Sequence, residues 1–86
     1  MKKIVGVLRP FDLEQSFYVY ENGNKIDMAH PTVDEINEVV FSFIEKYNIS
    51  QVDLTGPKQY SKGISNKIKE AEMLKYNKNS LEINII

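Results

Sequence analysis

The run Thr32-Val33-Asp34-Glu35 constrains the fold of this chain more than any other feature. A hydroxyl residue three positions before a glutamate is a capping box, in which Thr32 is the N-cap and Glu35 reaches back to it. Behind it Val33, Ile36, Val40, Phe43, Ile44 and Tyr47 recur at helical spacing and form one apolar stripe. Asn48 is the stop. A helix anchored here divides the chain into two halves of different character. Before it, residues 4–8 are an unbroken apolar run rich in β-branched side chains, the pattern of a central strand. Arg9-Pro10-Phe11-Asp12 breaks that run, because Pro10 restricts the residue before it and has no amide to donate. Residues 16–20 make a second strand rich in aromatics, Asn22-Gly23 is a hairpin turn, and residues 25–29 alternate as a third strand with Ile26 and Met28 on one face.

After the helix, residues 51–55 read as a fourth strand closed by Gly56-Pro57. A second helix runs over 57–72 with Tyr60, Ile64, Ile68 and Ala71 inward and Gly63 weakening its first turns. Residues 73–76 fit either a last helical turn or a short strand, and residues 81–86 alternate as a final strand. The order is β-β-β-α-β-α-β. The first three strands pair as antiparallel hairpins, and each helix is a crossover that feeds a strand parallel to the first. Right-handed crossovers moving in one direction set their helices on the same face. The expected architecture is therefore α+β: a mixed five-stranded sheet of order 3-2-1-4-5, two helices on one face, the other face open. With 86 residues the whole chain is expected to be one domain.

Composition narrows the chemistry. There is no cysteine, which excludes disulfides, thiolate metal sites and cysteine nucleophiles, and a chain this small then folds on its core alone or with a partner. The lone histidine, His30, cannot build a multi-histidine metal site. A net charge of −1 supplies no field that draws in nucleic acid or anionic lipid. No segment approaches the length of a membrane span, and the basic start followed by a short apolar run lacks a cleavage site, so the chain is expected to be cytoplasmic. Ten of the eleven basic residues are lysine; with abundant asparagine and isoleucine, this bias fits an AT-rich bacterial or phage genome.

The element order resembles the core of the ribonuclease H-like superfamily, which includes Holliday-junction resolvases and the actin-like ATPases, over nearly the whole chain. The resemblance implies the fold. It would also imply a metal-binding aspartate on the first strand, where this sequence has Val5, Gly6, Val7 and Leu8. A glycine-rich phosphate loop would follow in actin-like ATPases, where this sequence has Leu8-Arg9-Pro10-Phe11-Asp12-Leu13. Further family carboxylates come from the first helix and fourth strand, the elements of Glu35, Glu38 and Asp53.

Each candidate site competes with a plainer role. Asp12, Glu35 and Asp53 form a metal site only if the fold gathers them; turn and capping chemistry explains Asp12 and Glu35 without a metal. Thr55-Gly56-Pro57-Lys58 joins a strand end to a helix start, where open α/β sheets bind ligands, but it carries no phosphate-loop pattern. His30 is a helix-entry residue or a lone base. Lys58, Lys62, Lys67, Lys69, Lys75 and Lys78 cluster in the second helix and its tail, a weak signal for nucleic acid that Glu70 and Glu72 dilute. Strand alternation sends Phe17, Val19, Ile26, Met28, Val52, Leu54, Leu81, Ile83 and Ile85 to the helices. It leaves Tyr18, Tyr20, Asp27, Gln51, Asp53, Thr55, Glu82 and Asn84 on the open face. Tyr18, Tyr20, Asp53, Thr55, Glu82 and Asn84 are the candidate interaction face, since tyrosine is enriched at interfaces; the alternative is a solvated sheet face. The expected function is a small non-catalytic interaction or accessory module without cofactor or metal, paired with a second copy or a protein partner on that face. The alternative is a minimal ribonuclease H-like nucleic-acid-processing or nucleotide-binding protein.

Overall fold

In the computed structural model, which describes residues 3–9 and 15–86, the chain runs β1 (Ile4–Arg9), β2 (Ser16–Glu21), β3 (Asn24–Ala29), a 3-10 turn (Val33–Glu35), α1 (Ile36–Tyr47), β4 (Gln51–Leu54), α2 (Lys58–Tyr76) and β5 (Glu82–Ile85). The sheet order is β3-β2-β1-β4-β5. β1, β2 and β3 pair antiparallel, whereas β1 with β4 and β4 with β5 pair parallel. The mixed sheet expected from the element order is the one observed. Leu8, Phe17, Val19, Val52 and Leu54 turn to one face and form a single buried cluster with Ile36, Val40 and Phe41 of α1 and Ile64 and Ile68 of α2. Ile44, Phe43 and Tyr47 pack against its margin, with Leu81 and Ile83. Thr32 and Glu35 make the expected capping box: the Glu35 carboxylate accepts from the Thr32 amide (3.0 Å) and hydroxyl (2.8 Å).

Gly6 decides how β2 meets α1. It shares the inward face of β1 with Leu8, and its missing side chain leaves room for the ring of Phe17. A Cβ at position 6 would stand 2.5 Å from the Phe17 ring tip. Phe17 is fully buried and stacks on Phe43 of α1, centroids 5.5 Å apart, and Phe43 stacks on Tyr47 at 6.0 Å.

β3 departs from the expected phase. The Asn22-Gly23 turn, with φ of 50° and 88°, pairs Glu21 with Asn24 and Tyr20 with Lys25; the register then shifts and sets Val19 opposite Asp27 and Tyr18 opposite Met28. Ile26 is the extra residue of this bulge. Asp27 therefore turns to the helices and Met28 to the open face, the reverse of simple alternation. The physical reason lies in α1. Asp27 accepts a 2.5 Å hydrogen bond from the Tyr47 hydroxyl and faces Lys46 Nζ at 3.6 Å, partners that alternation within β3 cannot reveal.

Residues 73–76, which the sequence left open between a helical turn and a strand, are the last turn of α2. Its core face keeps Ile64 and Ile68, with Ala71 packed at the margin, and adds Ser61, Ser65 and Glu72, all buried; Tyr60 alone departs from the expected face, at 44% exposed. The small serines let α2 lie close to the sheet, and Glu72 turns its carboxylate back to the Ser80 and Leu81 amides, 3.3 and 3.1 Å away, fixing the approach to β5. Both helices end in Lys-Tyr-Asn. Asn48 and Asn77 adopt left-handed φ of 56° and 55° and donate their amides to Ile44 and Met73 carbonyls. Tyr76 then does for α2 what Tyr47 does for α1: its hydroxyl donates to Glu45 (2.6 Å), beside Lys75 Nζ at 3.1 Å.

These contacts shift titrations. The Tyr47 hydroxyl, helped by the Met28 amide, holds Asp27 below the ordinary carboxylate value. The Thr32 amide and hydroxyl do so for Glu35, and the Tyr76 hydroxyl and Lys75 for Glu45. Tyr47 and Tyr76 are raised by the carboxylates that accept their protons. The carboxylate contribution to stability is present above the ordinary carboxylate range and lost as pH falls through the lowered folded values. The tyrosine contribution is present below the ordinary tyrosine value and lost as pH rises through the raised ones. Urea midpoints measured across pH should hold between about pH 5 and 9 and fall at both ends, with Asp27→Asn softening the acid limb. Gly6→Ala should cost about 1–3 kcal/mol by overpacking in chemical denaturation, and Phe17→Leu in the same chain should recover part of that loss; an unchanged Gly6→Ala would refute the packing described.

Candidate functional site

The open face of the sheet is organised in cross-strand rows. One row, read across β3-β2-β1-β4-β5, is Lys25, Tyr20, Val5, Gln51 and Glu82; the next is Met28, Tyr18, Val7, Asp53 and Asn84. Five of the six residues singled out in the sequence, Tyr18, Tyr20, Asp53, Glu82 and Asn84, thus stand on this face. They fall into two groups with Val5 and Val7 between them. Thr55 follows the end of β4, where its amide donates to the Leu8 carbonyl at 3.0 Å.

The β1–β3 half is apolar. Tyr18 and Tyr20 are half-buried, with ring centroids 6.4 Å apart and tilted by 50°. Lys25 Nζ lies 5.3 Å from the Tyr18 ring centre, a cation–π distance. Met28, 42% exposed, extends the patch past Tyr18. The sequence placed Met28 inward and Asp27 here; the bulge exchanges them. Val5 and Val7 complete the patch on the central strand. An alternating strand with two valines outward looks, in the sequence, the same as one buried on both faces.

The β4–β5 half is polar and internally paired. Asp53 Oδ1 accepts from Gln51 Nε2 at 3.0 Å and from Asn84 Nδ2 at 3.1 Å. The carboxylate is held by amides on its own and the neighbouring strand, which fixes a small acidic platform beside the valines.

The metal constellation does not assemble from the described residues. Glu35 is engaged with Thr32 at the helix entry, Asp53 with the amides of the open face, and Asp12 lies outside the described residues. Among the described residues no group of three histidines or carboxylates is placed to hold a metal ion. His30 Nδ1 lies 3.4 Å from Ser16 Oγ, near the end of the β2–β3 ladder. The lysines of α2 occupy the helix layer while Tyr18 and Tyr20 occupy the opposite sheet face, so the rings are no stacking platform for a strand bound along those lysines. No described helix is long and apolar enough to cross a membrane.

No family model matches the chain, and no curated protein matches it. Among solved structures it is similar to a protein of Bacteroides thetaiotaomicron with an actin-like ATPase fold and unknown function. The TM-score is 0.70 at 11% identity, over 98% of this chain and 32% of that one. The chain spans about a third of that protein's length, and the likeness is one of fold.

If Asp53 organises the polar half as the distances indicate, Asp53→Ala should cost about 1 kcal/mol of stability, the net worth of such hydrogen bonds. It should also release the Gln51 and Asn84 side-chain amide protons to solvent exchange. Thermal denaturation and amide-exchange NMR read the two effects; unchanged exchange would remove Asp53 from that role.

Proposed function

We propose that the chain is a non-catalytic interaction module whose open sheet face is covered by another protein. The observation that carries this reading is the row pattern: Tyr18, Tyr20, Val5, Val7 and Met28 make a continuous apolar patch on β1–β3, bordered by the Asp53 platform. A solvated antiparallel face carries polar side chains on its central strand; this one carries two valines flanked by tyrosines. Aromatic and methionine side chains with a polar rim are the anatomy of a protein interface. The first strand also directs no carboxylate to either face: Val5 and Val7 point outward and Gly6 and Leu8 inward. This argues against the metal-dependent chemistry of the ribonuclease H-like nucleases.

A photo-crosslinking residue at position 18 or 20, introduced in cells of the source organism, tests this. Both positions should yield the same discrete adduct, Met28→Glu should suppress it, and a control at Lys62, exposed on α2, should not yield it. Equal adducts from Lys62 would overturn the reading. Adducts with the chain itself would assign the face to a second copy.

One observation favours a second reading, nucleotide binding. The Thr55 hydroxyl is buried without a hydrogen-bond partner among the described residues, at the carboxyl end of β4 and beside the end of β1, where α/β sheets receive ligands. Titration with magnesium ATP, followed by NMR, supports it if saturable shifts centre on Thr55 and vanish in Thr55→Val. Flat titrations remove it.

A further inference from the structure

The two helices are clasped near their C-terminal ends. Tyr76 and Lys75 of α2 hold Glu45 of α1, and the Phe41 and Tyr76 rings meet edge to face at 5.9 Å. Beside this clasp a groove of about 660 Å³ runs along α2 from Gln59 to Leu74, walled on the α1 side by Val33, Asp34, Ile36 and Asn37.

Beside Gln59, Ile64 and Ala71, α2 contributes to this groove a line of Tyr60, Gly63, Lys67, Glu70 and Leu74. Their spacing alternates three and four residues, the period of a coiled-coil seam. It is distinct from the core face at Ser61, Ile64, Ser65, Ile68 and Glu72. At one end of the seam is a knob: Leu74 is 89% exposed, the most exposed of the large hydrophobic residues described. Towards the other end the helix surface is bare: Gly63 carries no side chain, and a Cβ built there meets nothing within 4 Å. Lys67 and Glu70, both exposed, lie between.

We propose that this seam pairs with the same seam of a second copy of the chain, antiparallel about a two-fold axis. The occupant follows from self-complementarity. A parallel pairing sets each residue against its equal, lysine on lysine and glutamate on glutamate. The antiparallel register that seats Leu74 over Gly63 of the second copy also sets Lys67 against Glu70 of the second copy, since both pairs are separated by the same four-residue step along the helix. The symmetry makes each contact twice. One register satisfies shape and charge together, and the central lysine–glutamate pairs select it over the parallel arrangement, as polar seam residues do. The groove beside Val33 then receives the leucine. This surface lies on the helix layer, opposite the open sheet face, and the pairing stands or falls independently of the reading above.

Sedimentation at several concentrations up to about 1 mM, where even weak self-association shows, tests the proposal, with circular dichroism confirming that each variant is folded. The wild type should show a monomer–dimer equilibrium. Lys67→Glu and Glu70→Lys should each raise the dissociation constant by about tenfold or more, because each sets like charges across the axis. The two substitutions together should restore it. Leu74→Ser should abolish the dimer, whereas Tyr18→Ser with Tyr20→Ser should leave it unchanged. A wild type monomeric throughout would overturn the proposal. So would a dimer indifferent to either charge reversal, a double exchange that fails to restore pairing, or a dimer lost on the tyrosine substitutions alone.

Discussion

The seat of the Phe17 ring over Gly6 is the contact on which the rest of the structure depends. A strand pairs with its neighbours through the backbone whatever its side chains, but only a missing side chain lets an aromatic ring from the adjacent strand lie across it. Once Phe17 occupies that space, its outer face is presented to α1. Phe43 stacks on it, Tyr47 stacks on Phe43, and the Tyr47 hydroxyl reaches Asp27 on β3. A continuous line of contacts therefore runs from the central strand through α1 to the edge strand. The bulge in β3 follows from it, since Asp27 meets the hydroxyl only if the strand gains one residue between Lys25 and Asp27. Met28 is consequently turned out onto the open face. One glycine thus bears on the composition of a surface on the far side of the sheet.

The second organising device is the Lys-Tyr-Asn ending of each helix. The asparagine in left-handed conformation stops the helix, and the tyrosine before it holds a carboxylate on the element packed alongside, with the lysine as a third member. Burying a tyrosine body while satisfying its hydroxyl on a carboxylate is a low-cost way to fasten a small layer that has few large core residues to spend. Both fastenings lie at helix C-termini. The Tyr76–Glu45 fastening joins the two helices to each other, and it stands beside the C-terminal end of the groove along α2.

The first strand unites fold and chemistry. Its inward positions are Gly6 and Leu8, serving the core; its outward positions are Val5 and Val7, serving the open face. The chain carries apolar side chains on its central strand, on both sides of the sheet. That apolar surface underlies the reading of the chain as a binding module, and the molecule presents two different surfaces, a valine–tyrosine sheet face and a seam on α2.

How far the sequence alone reached can be argued from particular residues. Thr32 and Glu35 determined where the first helix begins, because a capping box acts over three residues and depends on nothing distant. Asn22-Gly23 determined the hairpin, and the order of strands and helices with the handedness of crossovers determined the sheet order. Tyr18, Tyr20, Asp53, Glu82 and Asn84 were assigned to the open face by strand alternation, which β2, β4 and β5 obey. The tertiary structure decided what depends on partners far along the chain. Asp27 and Met28 exchanged faces because a hydroxyl twenty residues later outweighed the local alternation. α2 turned its serines inward and Tyr60 outward because close approach to the sheet favoured small side chains. Residues 73–76 became helix because Tyr76 found Glu45. Local signals set the elements and their order, and long-range polar contacts set the phase in which β3 and α2 present their side chains.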